Sequence, residues 1–171
     1  MDPHRQPPQP APRDTVAAKA DQGGVIAMNQ PPANQNNNPS DGHNEFFDPV
    51  AIEEYRSRSR EFLTRGLAFL TEGDLYQASE KGWGAAAWMA KAVATAQGWE
   101  YSRHDQFSVV LNNASLTLGD DRLRGLRGIA NDLHGNYYKR EFLLNADIIG
   151  RDLNSVAELL DILEPLTGPA V

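Results

Sequence analysis

The chain contains no cysteine, which excludes disulfides, thiolate metal sites and a cysteine nucleophile. No apolar run approaches the roughly 20 residues that a membrane-spanning helix needs, so no membrane partner is expected. The first 44 residues have no aromatic side chain, yet they hold 8 of the 11 prolines and the run Asn34-Gln-Asn-Asn-Asn-Pro39. Such a stretch cannot bury enough apolar surface to offset the entropy of ordering it. Residues 1–45 therefore read as a disordered tail. They do not read as a signal peptide, because Val25-Ile-Ala-Met28 is too short for an apolar h-region. Positive charge is also scarce: 16 Lys and Arg face 23 Asp and Glu, a net −7 at pH 7. Any RNA contact must then come from a local basic patch, not from the overall field. A reducing cytoplasm is the expected location.

Period-two alternation is missing as well, so strands are not expected. What the remainder offers is helical. Asp48-Pro49 supplies an N-cap acid and a proline at the first helical position. Ala51, Tyr55, Phe62, Gly66 and Phe69 follow as one stripe, flanked by Ile52, Leu63, Leu67 and Leu70, with Arg56, Arg58 and Arg60 mostly on the wet side. Gly73 ends this first helix, and Asp74 caps a second that runs to about Gly98. The second helix has an inner stripe of Leu75, Ala78, Gly82, Ala85, Met89, Val93 and Ala96. Residues this small let another helix approach closely. Gly82 and Gly84 each cost up to about 1 kcal/mol relative to alanine, so a packing reason is expected.

A third helix is expected from Ser102 to about Leu111, followed by a connector over Asn112–Asp120. The acids Asp120-Asp121 suit the start of a fourth helix, running to about Tyr138. Ile149, Leu153, Val156, Leu160 and Leu163 mark a fifth, ended by Pro165 and Gly168-Pro169. The expected architecture is an all-α antiparallel bundle of four to five helices over residues 46–165, with a short tail over 166–171.

The fourth helix carries two stripes. Leu126, Ile129, Ala130, Leu133 and Tyr137 face the core. Arg127, Asn131, His134 and Tyr138 follow the same spacing, rotated by about 100°. Arg127 and His134 thus share a face, with a rise of about 10.5 Å between them. An arginine fork grips phosphate oxygens, and an imidazole moves protons near neutral pH, so the pair suits phosphate chemistry. The plainer readings are an ion pair from Arg127 to Asp120 or Asp121, and a structural hydrogen bond for His134. Glu80 and Lys81 read either as an ion pair beside the small stripe or as polar contributors to the site. His104, near the start of the third helix, reads as a capping or surface residue. The four histidines are not at ligand spacing, so neither metal nor cofactor is expected.

Two stretches resemble a known family. Gly73-Asp-Leu-Tyr-Gln-Ala-Ser-Glu-Lys-Gly-Trp-Gly-Ala-Ala-Ala-Trp-Met-Ala-Lys91, followed by Gly98-Trp99 and His104, is similar to the PaREP family of prokaryotic proteins. Leu133-His134-Gly-Asn-Tyr-Tyr138 resembles that family's Leu-His-x-Asn-Phe-Tyr signature. The resemblance spans roughly residues 55 to 163 and points onward to the HEPN superfamily of small helical bundles. Many HEPN proteins are metal-independent endoribonucleases with an arginine, four to six residues, then a histidine. The resemblance thus implies catalytic roles for Arg127 and His134. Asn131, Asn136, Tyr138, Glu80 and Lys81 are candidate substrate or partner contacts. It also implies a homodimer that joins two Arg/His pairs, with the small face of the second helix and the fourth helix as candidate interfaces. RNA is the expected substrate of a toxin-antitoxin or defence protein, and a nucleotidyltransferase-type antitoxin or another protein is a candidate partner. Gly128 stands where active HEPN proteins usually carry a polar residue. That keeps open a non-catalytic helical module that binds a partner protein, a nucleotide or RNA through the same face.

Overall fold

A computed structural model describes residues 48–136, 139–140 and 143–168 of the chain. The tail expected over residues 1–45 lies outside the described residues. Among the described residues there are five α-helices and no strand: α1 (Pro49–Glu72), α2 (Leu75–Gln97), α3 (Gln106–Leu118), α4 (Arg122–Gly135) and α5 (Ala146–Leu163). A 3-10 turn over Glu164–Thr167 extends α5, with Leu166 and Thr167 buried. No helix among the described residues is long and apolar enough to cross a membrane.

The first two helices begin and end where the capping chemistry places them. The Asp48 carboxylate accepts from the Val50 and Ala51 N–H groups at 3.0 Å, and Asp74 does the same for Gln77. The two helices form an antiparallel hairpin. Its partner helices then enclose α2, which packs against α1, α5, α4, α3 and the 3-10 turn. A helix buried all round must be apolar or small all round, and every residue from Gly82 to Ala90 is buried.

That enclosure explains the glycines and corrects one expectation. A methyl on Gly82 would lie 2.6 Å from Leu153 Cδ2 and 2.8 Å from Leu133 Cδ1, and one on Gly84 would lie 2.5 Å from Phe62 Cδ1. The small face of α2 is therefore filled by this chain's own α1, α4 and α5, and is not open to a second copy. The two glycines differ in what yields. Leu133 and Leu153 are fully buried, whereas Phe62 is only half-buried. Gly82→Ala is expected to lose about 1–2 kcal/mol, because overpacking of about 1–3 kcal/mol exceeds the helix-propensity gain of about 1 kcal/mol. Gly84→Ala is expected to fall within about 0.5 kcal/mol of the parent, since the two effects nearly cancel there. Urea unfolding of both variants checks the order.

Two other expectations change. The third helix starts later and runs further than its apolar residues imply. The Gln106 side chain accepts from the Ser102 and Arg103 N–H groups, at 2.6 and 2.8 Å, which holds residues 102–105 as a turn. The expected connector over Asn112–Asp120 is instead mostly helix, because Val110, Leu111 and Ala114 are buried and pull it inward. Tertiary burial overrides the weak helix propensity of Asn112 and Asn113. Gly119, at φ 65°, stops the helix.

Nor do the arginines of α1 simply face water. Arg56 and Arg60 both reach the Glu164 carboxylate, and Arg60 also pairs with Asp161 at 2.9 Å. Burial works to raise the Glu164 pKa, but the hydrogen bonds from Arg56 and Arg60 outweigh it and hold the group below its ordinary value. Arg58 lies over the Trp88 ring at 5.2 Å. Leu67, expected at the flank of the α1 stripe, is 42% exposed.

Candidate functional site

The polar stripe of α4 meets the rest of the molecule at two places. At the first, Arg127 on α4 donates from Nη1 to the Asn112 side-chain oxygen on α3, at 2.6 Å. The acids expected to claim it are not its partners: Asp120 is taken by Arg122, at 2.6 Å. Six other arginines of the described residues, Arg56, Arg58, Arg60, Arg65, Arg103 and Arg122, are each within ion-pair distance of a carboxylate. Arg127 is instead steadied by a neutral amide. Its charge is held in place without a carboxylate partner to cancel it.

The second place lies two turns on, where α4 ends. There α2 contributes Ser79, Glu80 and Trp83, the turn before α3 contributes His104, and α4 contributes His134 and Asn136. Trp83 is the wall of this corner and is 1% exposed. Its ring centroid lies 4.6 Å from His104, 4.9 Å from His134 and 4.6 Å from Phe107, the last edge-on. The two imidazoles are themselves 4.5 Å apart at 47°. Burial holds His104 below the ordinary imidazole pKa, and the charge of His134 adds to this; Glu80 and Asp105 pull the other way. His104 is exposed, as the surface reading expects, but its ring also packs on Trp83 and His134, contacts which that reading did not include. No local spacing could have shown them, since the chain passes through all of α3 between the two histidines. The signal available was that His104 falls within the family-like stretch.

The other candidates separate. Glu80 acts on His104, while Lys81 turns to α1, its Nζ 5.1 Å from the Phe62 ring centroid. They do not form the ion pair expected of them. Asn136 is buried and donates to Ser79 Oγ at 3.0 Å, so it ties the end of α4 to α2. Asn131 is exposed on the α4 surface between Arg127 and His134. Tyr137 and Tyr138 lie outside the described residues. Among the described residues, no group of three or more His, Asp or Glu is gathered for a metal ion.

The model of the archaeal PaREP1/PaREP8 family matches residues 54–159. The chain belongs to that family. The match runs from the first turns of α1 to the last turn but one of α5, so it takes in every helix that builds the corner. No curated protein and no solved structure matches the chain. Within this PaREP protein, the family-matching region therefore includes Arg127 and His134, and also the added histidine, His104.

Proposed function

We propose that this PaREP protein is a HEPN-like bundle acting as a metal-independent endoribonuclease, with Arg127 and His134 in its active site. The observation that carries the reading is the pairing on one face of α4 of an arginine steadied by a neutral amide with an imidazole. A guanidinium not tied to a carboxylate can meet the phosphate oxygens of a phosphodiester and stabilise the charge that builds up there. His134 moves the proton that strand scission requires. Asn131, exposed between the two, is placed to contact the substrate, and Asn136 ties the end of α4 just after His134 to α2 through Ser79. The setting we infer is a cytoplasmic toxin-antitoxin or defence system. There the protein works as a homodimer and is restrained by a protein partner such as a nucleotidyltransferase-type antitoxin. With α2 enclosed, α4 is the remaining candidate for the dimer face.

Incubation with single-stranded RNA tests the reading. Cleavage is expected, and His134→Ala should slow it by about 10²–10⁴-fold, the usual worth of a positioned proton-transfer group. Arg127→Ala should cost on the order of 10²-fold or more. An intact RNA, or equal cleavage by the His134→Ala protein, would remove the proposal. Gly128 favours a second reading. It is exposed, and a side chain there would meet nothing within 4 Å, so the position beside Arg127 has room for the polar group that active HEPN proteins carry but does not have it. A non-catalytic module that binds RNA, a nucleotide or a protein partner through this face would show weaker binding on Arg127→Ala and no turnover in any variant.

A further inference from the structure

We infer that His104 is the second proton-transfer residue of this site, so that one chain holds both the base and the acid for cleaving a single-stranded RNA phosphodiester. The inference rests on the ribonuclease reading above and adds to it a residue from another element. Two imidazoles from α4 and from the turn before α3 are set 4.5 Å apart against one buried indole. His104 is exposed, so its ring packs on that wall while remaining open to a substrate.

The chemistry needs one neutral and one charged imidazole. The ribose 2′-oxygen bonds to phosphorus as the bond from phosphorus to the 5′-oxygen breaks. One imidazole takes the 2′-hydroxyl proton, and the other, as imidazolium, gives a proton to the departing 5′-oxygen. The products are a 2′,3′-cyclic phosphate and a 5′-hydroxyl, with no co-reactant. Close placement works against charging His104 while His134 carries a charge. The groups facing His104 are His134 from α4, Glu80 from α2 and its neighbour Asp105, which Arg103 engages at 3.1 Å. Burial and the charge of His134 hold the His104 pKa down, and Glu80 and Asp105 pull it back up.

The test compares full-length His104→Asn and His134→Asn proteins on single-stranded RNA across pH 5–9, with melting curves to show that both are folded. His104→Asn is expected to lower kcat by about 10²–10³-fold with little change in KM, and to remove one limb of a bell-shaped pH profile. His104→Gly should regain activity on adding free imidazole, which a purely structural histidine would not allow. Mixing the two Asn variants should restore nothing, because neither chain then holds both rings. Recovery on mixing would mean that the pair is completed between chains and would overturn the inference. So would a His104→Asn protein within about twofold of the parent; if His134→Asn is dead in that case, the ribonuclease reading stands and only His104 leaves it. If the parent cuts no RNA, both fail together.

Discussion

Leu153→Ala is expected to destabilise the protein by about 4–5 kcal/mol, the upper part of the range for buried leucine truncations. The cost of such a truncation depends on how far the surroundings can collapse into the gap. Here they cannot follow. The Leu153 Cδ2 methyl lies 2.6 Å from where a Gly82 methyl would be and 3.3 Å from where one on Gly66 would be. It occupies space that two glycines leave open on α1 and α2, and glycine has no side chain to move. Against the roughly 5–15 kcal/mol of a typical domain, that loss is a large fraction of the total. A second substitution makes the argument specific. Gly82→Ala should be clearly less destabilising in the Leu153→Ala background than in the parent, because its methyl then fills part of the cavity and only the Leu133 Cδ1 contact at 2.8 Å remains. Equilibrium urea unfolding of the four proteins in this cycle provides the check. A Gly82→Ala effect of the same size in both backgrounds would show that the two side chains do not share the space.

Trp83→Ala should cost about 3–5 kcal/mol, as for other large aromatic truncations. Its indole is 1% exposed and touches Phe107 edge-on as well as both histidines, and such aromatic contacts are worth about 0.5–1.5 kcal/mol beyond the area they bury. The change should also be felt at the corner. The imidazole NMR signals of His104 and His134 both lie within reach of the indole ring current, so both should shift when the ring is removed. Trp83→Phe keeps an aromatic wall and should preserve more of both the stability and the shifts. If only stability changed and the imidazole signals stayed in place, the three-ring arrangement would be wrong.

Much of this fold could be read from the sequence because its signals are local. Asp48, Gly73, Asp74 and Gly98 mark helix ends by chemistry that acts within a few residues. Ile149, Leu153, Val156, Leu160 and Leu163 repeat so regularly that α5 has no competing reading, and all five are buried. The failures occur where distant parts of the chain decide. Asn112 to Leu118 looks like a connector until Ala114 is seen to be buried. Arg56 and Arg60 look solvated until Glu164, a hundred residues away, comes alongside. The small stripe of α2 correctly announced a close neighbour but could not say whose. At the candidate site the same division holds. Arg127 and His134 are visible as a helical spacing, whereas His104 joins them only through tertiary packing.

The helices are unequally anchored. The hairpin of α1 and α2 forms the broadest contact in the molecule, while α3 leans mainly on α4 and, more lightly, on α2. His104 sits at the root of that lightly held helix, and the Arg127–Asn112 hydrogen bond is one of its ties to α4. Local opening draws first on elements with few packed neighbours. A partial undocking of α3 would therefore part the two imidazoles and release the guanidinium in one movement, leaving the α1–α2 core closed. The corner is thus built across a joint, one side fixed to the most enclosed helix and the other to the least.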